Sequence, residues 1–181
     1  MKLLIASDIH GDAVCASELL EVFENEKCDK MLLLGDLLYH GPRNDLPSAY
    51  APKRVIELLN GYRNKIIAVR GNCDTEVDQM VLSFPILADY AYLCLDGISV
   101  IAHHGHRFGL DNPPEMCASE LLLCGHTHVQ CIRPLGEGKY YLNPGSVTLP
   151  KENNPRTYMI YENRSFKIVD FNGNVINSLK I

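Results

Sequence analysis

The chain has 181 residues, 46% of them hydrophobic and 22% charged, with a formal net charge of −5. That size and balance fit one compact domain over 1–181, burying roughly 70% of its unfolded surface, and exclude a disordered, collagen-like or coiled-coil chain. A mildly acidic surface argues against a bulk electrostatic grip on nucleic acid or anionic membrane, while leaving room for a local basic pocket.

In chain order, Leu3-Leu4-Ile5-Ala6 is a continuous apolar run of the kind a strand buried on both faces requires. A polar loop from Ser7 to Asp12 follows, and Asp12 can cap a helix with Val14, Leu19, Leu20 and Phe23 among its apolar positions. Residues 31–34 read as a second buried strand, stopped by Gly35-Asp36. The segment 38–50, rich in Gly, Pro and Asn, reads either as a surface connection or as a rim that selects substrates, with Arg43 as a phosphate contact. Pro52 fits the first turn of a helix over 52–60, with Val55, Ile56, Leu58 and Leu59 inward. A third strand at 65–69 is broken by Gly71. Strand, helix, strand, helix, strand is the pattern of a parallel α/β core. Beyond it, 92–95 and 98–102 flank Asp96-Gly97, a strong two-residue hairpin signal. Further strands are predicted at 121–124, 139–142, 157–161, 166–171 and 175–179. The expectation is two β-sheets packed face to face with helices outside.

The seven cysteines are odd in number and lack a CxxC pair; several, such as Cys94 and Cys124, sit inside apolar runs. They read as reduced core thiols of a cytoplasmic protein. No run approaches the about 18 apolar residues of a membrane span, and the apolar start at 1–6 is too short for a signal peptide. The sequon Asn163-Arg164-Ser165 is read as chance.

Five polar clusters fall just after apolar strands, where open α/β sheets place their ligand sites. They are Asp8-Ile9-His10, Gly35-Asp36, Gly71-Asn72-Cys73-Asp74, His103-His104-Gly105-His106 and Gly125-His126-Thr127-His128, and six of the seven histidines lie in them; only His40 does not. A single Gly-Asp is most often a plain turn; five such strand ends together are not explained by turn chemistry. Nitrogen and oxygen ligands without thiolate suit Mn²⁺, Fe²⁺, Zn²⁺ or Ni²⁺. Seven such side chains exceed the needs of one four-coordinate ion, and a carboxylate can bridge two, so a dinuclear site is inferred. No GxSxG nucleophile motif, P-loop or dinucleotide fingerprint is present.

The order DxH, GD, GN, H, GHxH resembles the calcineurin-like metallophosphoesterase family, and within it the small bacterial YfcE-type phosphodiesterases. Ala6-Ser7-Asp8-Ile9-His10-Gly11, His40-Gly41-Pro42-Arg43-Asn44, Val69-Arg70-Gly71-Asn72-Cys73-Asp74 and Asn143-Pro144-Gly145-Ser146 carry the likeness. It implies a four-layer α/β/β/α sandwich and two divalent metal ions, with Mn²⁺ the choice by resemblance. One ion would take Asp8, His10 and His128, the second Asn72, His104 and His126, with Asp36 bridging. His104 is preferred over its neighbours because the family ligand immediately precedes the Gly; His103 is read as structural, and His106 as a contact to a ligand side chain or to substrate. Asp36, Asn72, Cys73 and His104 form the expected catalytic group. Two cations about 3.5–4 Å apart can supply a bridging hydroxide as nucleophile and neutralise phosphate oxygens during in-line attack. Many relatives carry His where this chain has Cys73. A thiol donates hydrogen bonds weakly, so leaving-group protonation should be poor unless Asp74 or His106 supplies the proton.

The expected activity is metal-dependent hydrolysis of a small phosphodiester, without membrane or bulk nucleic-acid partners; a homo-oligomer is compatible with the sequence. A phosphomonoesterase is the nearer alternative. A protein-binding scaffold, like the retromer subunit that shares the family fold with an eroded metal site, is the rival from another class.

Overall fold

In the computed structural model, which describes residues 1–118 and 120–181, the chain runs β1 (Leu3–Ala6), α1 (Ala13–Asn25), β2 (Lys30–Leu33), α2 (Pro52–Gly61), β3 (Ile66–Ala68) and α3 (Glu76–Val81). There follow β4 (Tyr90–Leu95), β5 (Ile98–His103), β6 (Leu121–Leu123), β7 (Cys131–Gly136), β8 (Lys139–Asn143), β9 (Thr157–Glu162), β10 (Ser165–Asp170) and β11 (Val175–Lys180). One sheet has the order β11-β10-β9-β1-β2-β3 and the other β4-β5-β6-β8-β7. The first-half strands pair in parallel, β1 with β2 and β2 with β3.

The apolar runs are continuous because both faces of these strands are covered. Leu4, Ala6, Met31 and Leu33 face the helices with Leu19, Phe23, Val55 and Leu59. Leu3, Ile5, Leu32 and Leu34 face the second sheet, where Val100, Ala102, Leu121, Leu123 and Leu142 meet them. The expected sandwich is therefore realised, with unequal outer layers. Helices α1 and α2 cover the first sheet, while Ile101, Leu122, Cys124 and Tyr141 on the outer face of the second pack with Met116 from the connection between β5 and β6.

Three local expectations change. Val14 is 55% exposed, because α1 turns Cys15, Ala16, Leu19, Leu20 and Phe23 inward and leaves position 14 on the solvent side. In α2 only Val55 and Leu59, one helical turn apart, are buried; Ile56 and Leu58 are half-buried. Cys94 is exposed, since edge strand β4 alternates and sends Leu93 and Leu95 to the core. Asp12 caps α1 as expected, its Oδ1 accepting from the Cys15 N–H at 2.9 Å. Asp96 (φ 50°) and Gly97 (φ 82°) close the β4–β5 hairpin with both residues left-handed, as a type I′ turn requires. No helix among the described residues is long and apolar enough to cross a membrane.

Candidate metal centre

All five polar clusters come together at one end of the two sheets. The loops after β1 and β2 are laced by backbone bonds from Asp8 N–H to Gly35 O (3.1 Å), His10 N–H to Asp36 O (2.9 Å) and Gly11 N–H to Leu37 O (2.9 Å). From the second sheet, Gly125 N–H donates to His104 O (2.7 Å) and His126 N–H to Asp8 Oδ2 (3.0 Å). Five of the clustered residues hold left-handed backbone: Asp8 (φ 62°), His10 (50°), Asp36 (55°), His126 (66°) and His128 (60°). Such geometry costs on the order of 1–3 kcal/mol per non-glycine residue and persists only where the surroundings over-determine it. Glycine is needed where these loops touch: a Cβ on Gly71 would run into the Asp36 carboxylate, and one on Gly125 into Ser7 Oγ.

The histidines are oriented from behind. His10 Nδ1 donates to Tyr39 O (2.8 Å), His104 Nδ1 to Leu34 O (2.7 Å) and His128 Nδ1 to Leu149 O (2.6 Å). A carbonyl oxygen only accepts, so each Nδ1 carries hydrogen and each Nε2 is the nitrogen left to bind a cation. Those Nε2 atoms converge on carboxylates. His10 Nε2 and His128 Nε2 lie 3.2 Å apart and 3.5 and 3.2 Å from Asp8 Oδ1, a buried oxygen without a hydrogen-bond donor of its own. In the neighbouring cluster His104 Nε2 is 3.4 Å from Asp36 Oδ2, 3.0 Å from Asn72 Oδ1 and 3.2 Å from His126 Nδ1. Asp36 Oδ2 also lies 3.8 Å from His10 Nε2, so it stands between the two clusters. Lone pairs brought this close repel unless a cation sits among them, and the donor set fits divalent metal at both places.

Protons answer the same demand in the metal-free protein. Burial opposes the charge on Asp8, yet His10 and His128 hold its carboxyl well below the usual range. Burial likewise opposes an imidazolium at His104, but the Asp36 carboxylate raises it to about 9. Partial burial, reinforced by the neighbouring His104 imidazolium, pushes His126 down to about 4.

The remaining expected residues divide. Arg43 lines a cleft of about 320 Å³ over the clusters, with Gly41, Pro42, Asn44, Cys73 and Lys151, so the 38–50 segment forms part of the rim. Cys73 donates its N–H to Asp36 Oδ1 (2.8 Å), and its thiol forms a third potential metal-binding group with His10 and Asp36. His106 does not line this cleft. Its ring stacks on His103 (5.4 Å) and lies 5.5 Å from that of His104. Asp74 is buried with both oxygens taken by backbone N–H groups of Asp36, Leu37 and Gly71, and is no candidate for a proton donor. Three contributors escape sequence reasoning. Ser146, expected as a plain turn residue, donates from Oγ to Asp8 O (2.9 Å) and accepts from Leu149 N–H (2.9 Å), tying the carbonyl that orients His128 to the Asp8 loop. Leu149 acts through its backbone, and Lys151 enters the cleft with no local motif to mark it.

A profile of the calcineurin-like phosphoesterase superfamily domain matches residues 1–165. Phosphodiesterase YfcE of Escherichia coli strain K12 is 44% identical over 172 residues, covering 95% of this chain and 93% of that protein. The solved structure of E. coli YfcE, a phosphoesterase, superposes with a TM-score of 0.96 at 42% identity over the whole of both chains. Vacuolar Protein Sorting 29 from Cryptosporidium parvum shares the fold, with a TM-score of 0.65 at 18% identity over 99% of this chain and 98% of that one. On the domain match and the identity to the E. coli phosphodiesterase, the chain belongs to the calcineurin-like phosphoesterase superfamily, in its YfcE-type branch.

Proposed function

We propose that the chain, acting as one domain over 1–181, is a metal-dependent phosphodiesterase using two divalent cations. The observation that carries this reading is the set of lone pairs converging from buried Asp8, His10 and His128 on one side and from Asn72, His104 and His126 on the other. Asp36 Oδ2, between them, is the bridging oxygen. When bound, the cations would lower the pKa of a shared water to give a hydroxide nucleophile and would neutralise phosphate charge.

The chain's own residues do the rest. Tyr39, Leu34 and Leu149 carbonyls fix which nitrogen each histidine presents. The Cys73 N–H fixes Asp36 Oδ1 and leaves Oδ2 for bridging. Burial, reinforced by the Asp36 charge, pushes the Cys73 thiol above its ordinary range, so it faces the cleft as a protonated, weakly donating group. Arg43 supplies a guanidinium that can pair with phosphate oxygens. The nitrogen and oxygen donors suit Mn²⁺, Fe²⁺, Zn²⁺ or Ni²⁺ alike, and Mn²⁺ is the choice by resemblance to the YfcE-type phosphodiesterases. Free thiols at all seven cysteines support a cytoplasmic setting.

The diester preference follows the 44%-identical phosphodiesterase. The test compares bis(p-nitrophenyl) phosphate with p-nitrophenyl phosphate, using Mn²⁺-loaded and chelator-treated protein. Faster diester turnover that chelation removes is expected. Faster monoester turnover would make the chain a phosphomonoesterase, and turnover of neither would leave a scaffold.

A further inference from the structure

Arg43 and Lys151 both line the cleft over the metal-binding clusters, and both are exposed. Of the fifteen other lysines and arginines, six are in ion pairs: Lys2 with Glu26, Arg54 with Glu57, Arg70 with Glu76, Arg107 with Asp89, Lys139 with Glu137 and Arg156 with Glu18. Among the described residues the side chains of Arg43 and Lys151 have no such partner. They stand on two separate loops, each held in place. The turn bearing Arg43 is closed by Asn44 Nδ2–H donating to His40 O (2.7 Å), and Gly41 within it lies against the Cys73 thiol. Lys151 donates its backbone N–H to His128 O (3.2 Å), and its carbonyl accepts from Asn154 N–H (3.1 Å) and Nδ2 (2.8 Å). The loops are ordered by contacts of their own, so the two charges are presented to the cleft rather than spent on the fold.

A simple phosphodiester carries one negative charge. Two rim cations without carboxylate partners can take a second anionic group besides that one. We infer that Arg43 and Lys151 form an anion subsite that selects phosphodiesters whose retained alcohol carries a further phosphate. This rests on the phosphodiesterase reading and names its substrate class. Because the Arg43 turn adjoins Cys73 and the Lys151 loop adjoins His128, the added phosphate lies at the Cys73–His128 side of the cleft.

The experiment uses two probes with the same scissile bond and leaving group: the p-nitrophenyl ester of thymidine 5′-phosphate, with and without a 3′-phosphate. With Mn²⁺-loaded protein, kcat/KM should favour the 3′-phosphorylated probe by about tenfold or more, mostly through KM, and the ratio should shrink on raising salt to ~0.5 M. The ratio should fall toward one in an Arg43→Gln, Lys151→Gln double variant, with each single variant between. Calorimetry supplies a second readout, in which wild type should bind thymidine 3′,5′-bisphosphate about tenfold more tightly than thymidine 5′-monophosphate. A wild-type ratio of one or less, or a ratio the double variant preserves, would overturn the subsite. Hydrolysis of neither probe defeats the phosphodiesterase reading instead, and equal calorimetric affinities then overturn the subsite independently.

Discussion

Asp74 never faces the cleft, yet its removal should loosen the site. Its carboxylate, 2% exposed, accepts the backbone N–H of Leu37 (2.9 Å), Asp36 (2.9 Å) and Gly71 (2.7 Å), joining the loops after β2 and β3. In Asp74→Ala three buried donors lose their acceptor. Each costs about 1–3 kcal/mol, less whatever an entering water recovers, so the total is about 3–5 kcal/mol. For a chain of this length that is a fall in Tm of about 10–15 °C. Asp74→Asn keeps one oxygen, enough for the Asp36 and Gly71 donors that now share Oδ2, but turns an NH₂ toward the Leu37 N–H. Its cost is about 1–3 kcal/mol, or about 3–10 °C. Since Asp36 hangs from this carboxylate, Mn²⁺ affinity in the Asn variant should also fall by about 10–100-fold. Calorimetric unfolding of the metal-free protein and a Mn²⁺ titration measure both. An Asp74→Asn protein that melts within about 1 °C of wild type and binds Mn²⁺ equally well would refute this role.

Other expectations follow from the same geometry. Asp36→Asn should keep the fold, because the amide oxygen can still accept from Cys73 N–H, but lose more than about 100-fold in turnover; activity retained at saturating Mn²⁺ would contradict bridging. His126→Ala and His128→Ala should each leave one tight metal site, and loss of both sites in either variant would favour a mononuclear centre. The Asp36 carboxylate, prevailing over burial, lifts His104 to about 9, above its ordinary 6.5, so at pH 7 its proton is present and an incoming cation must expel it. Mn²⁺ affinity should therefore rise with pH until about 9 and level off. Titrations at pH 7 in buffers of different ionisation enthalpy should show release of about one proton or more, and zero release would exclude the pairing. With Cys73 as a weak donor, kcat/KM across a series of aryl phosphodiesters should fall steeply as leaving-group pKa rises, and Cys73→His should flatten the slope; a flat wild-type series would contradict this.

Much of the fold was legible because burial on both faces writes itself as continuous apolar runs, as in Leu3-Leu4-Ile5-Ala6 and Leu121-Leu122-Leu123-Cys124. Edge elements were harder. Strand β7, with Arg133 and Pro134, and helix α3 each bury none of their six residues, so burial leaves no pattern to read in either. The ligand types stood out because five strand ends carried Asp, Asn or His. What supports them did not, since the Tyr39, Leu34 and Leu149 carbonyls belong to the backbone and leave no mark on residue identity. The same holds for the left-handed turns at His10, His126 and His128, and for Lys151, which reaches the cleft only through tertiary folding.

The dinuclear centre is tested most directly by titrating metal-free protein with Mn²⁺ while recording occupancy and bis(p-nitrophenyl) phosphate turnover in the same samples. Negligible turnover without metal, rising in step with the second equivalent bound, is the result expected from two clusters sharing Asp36 Oδ2. Full turnover at one equivalent, or none at any Mn²⁺ concentration, would contradict it.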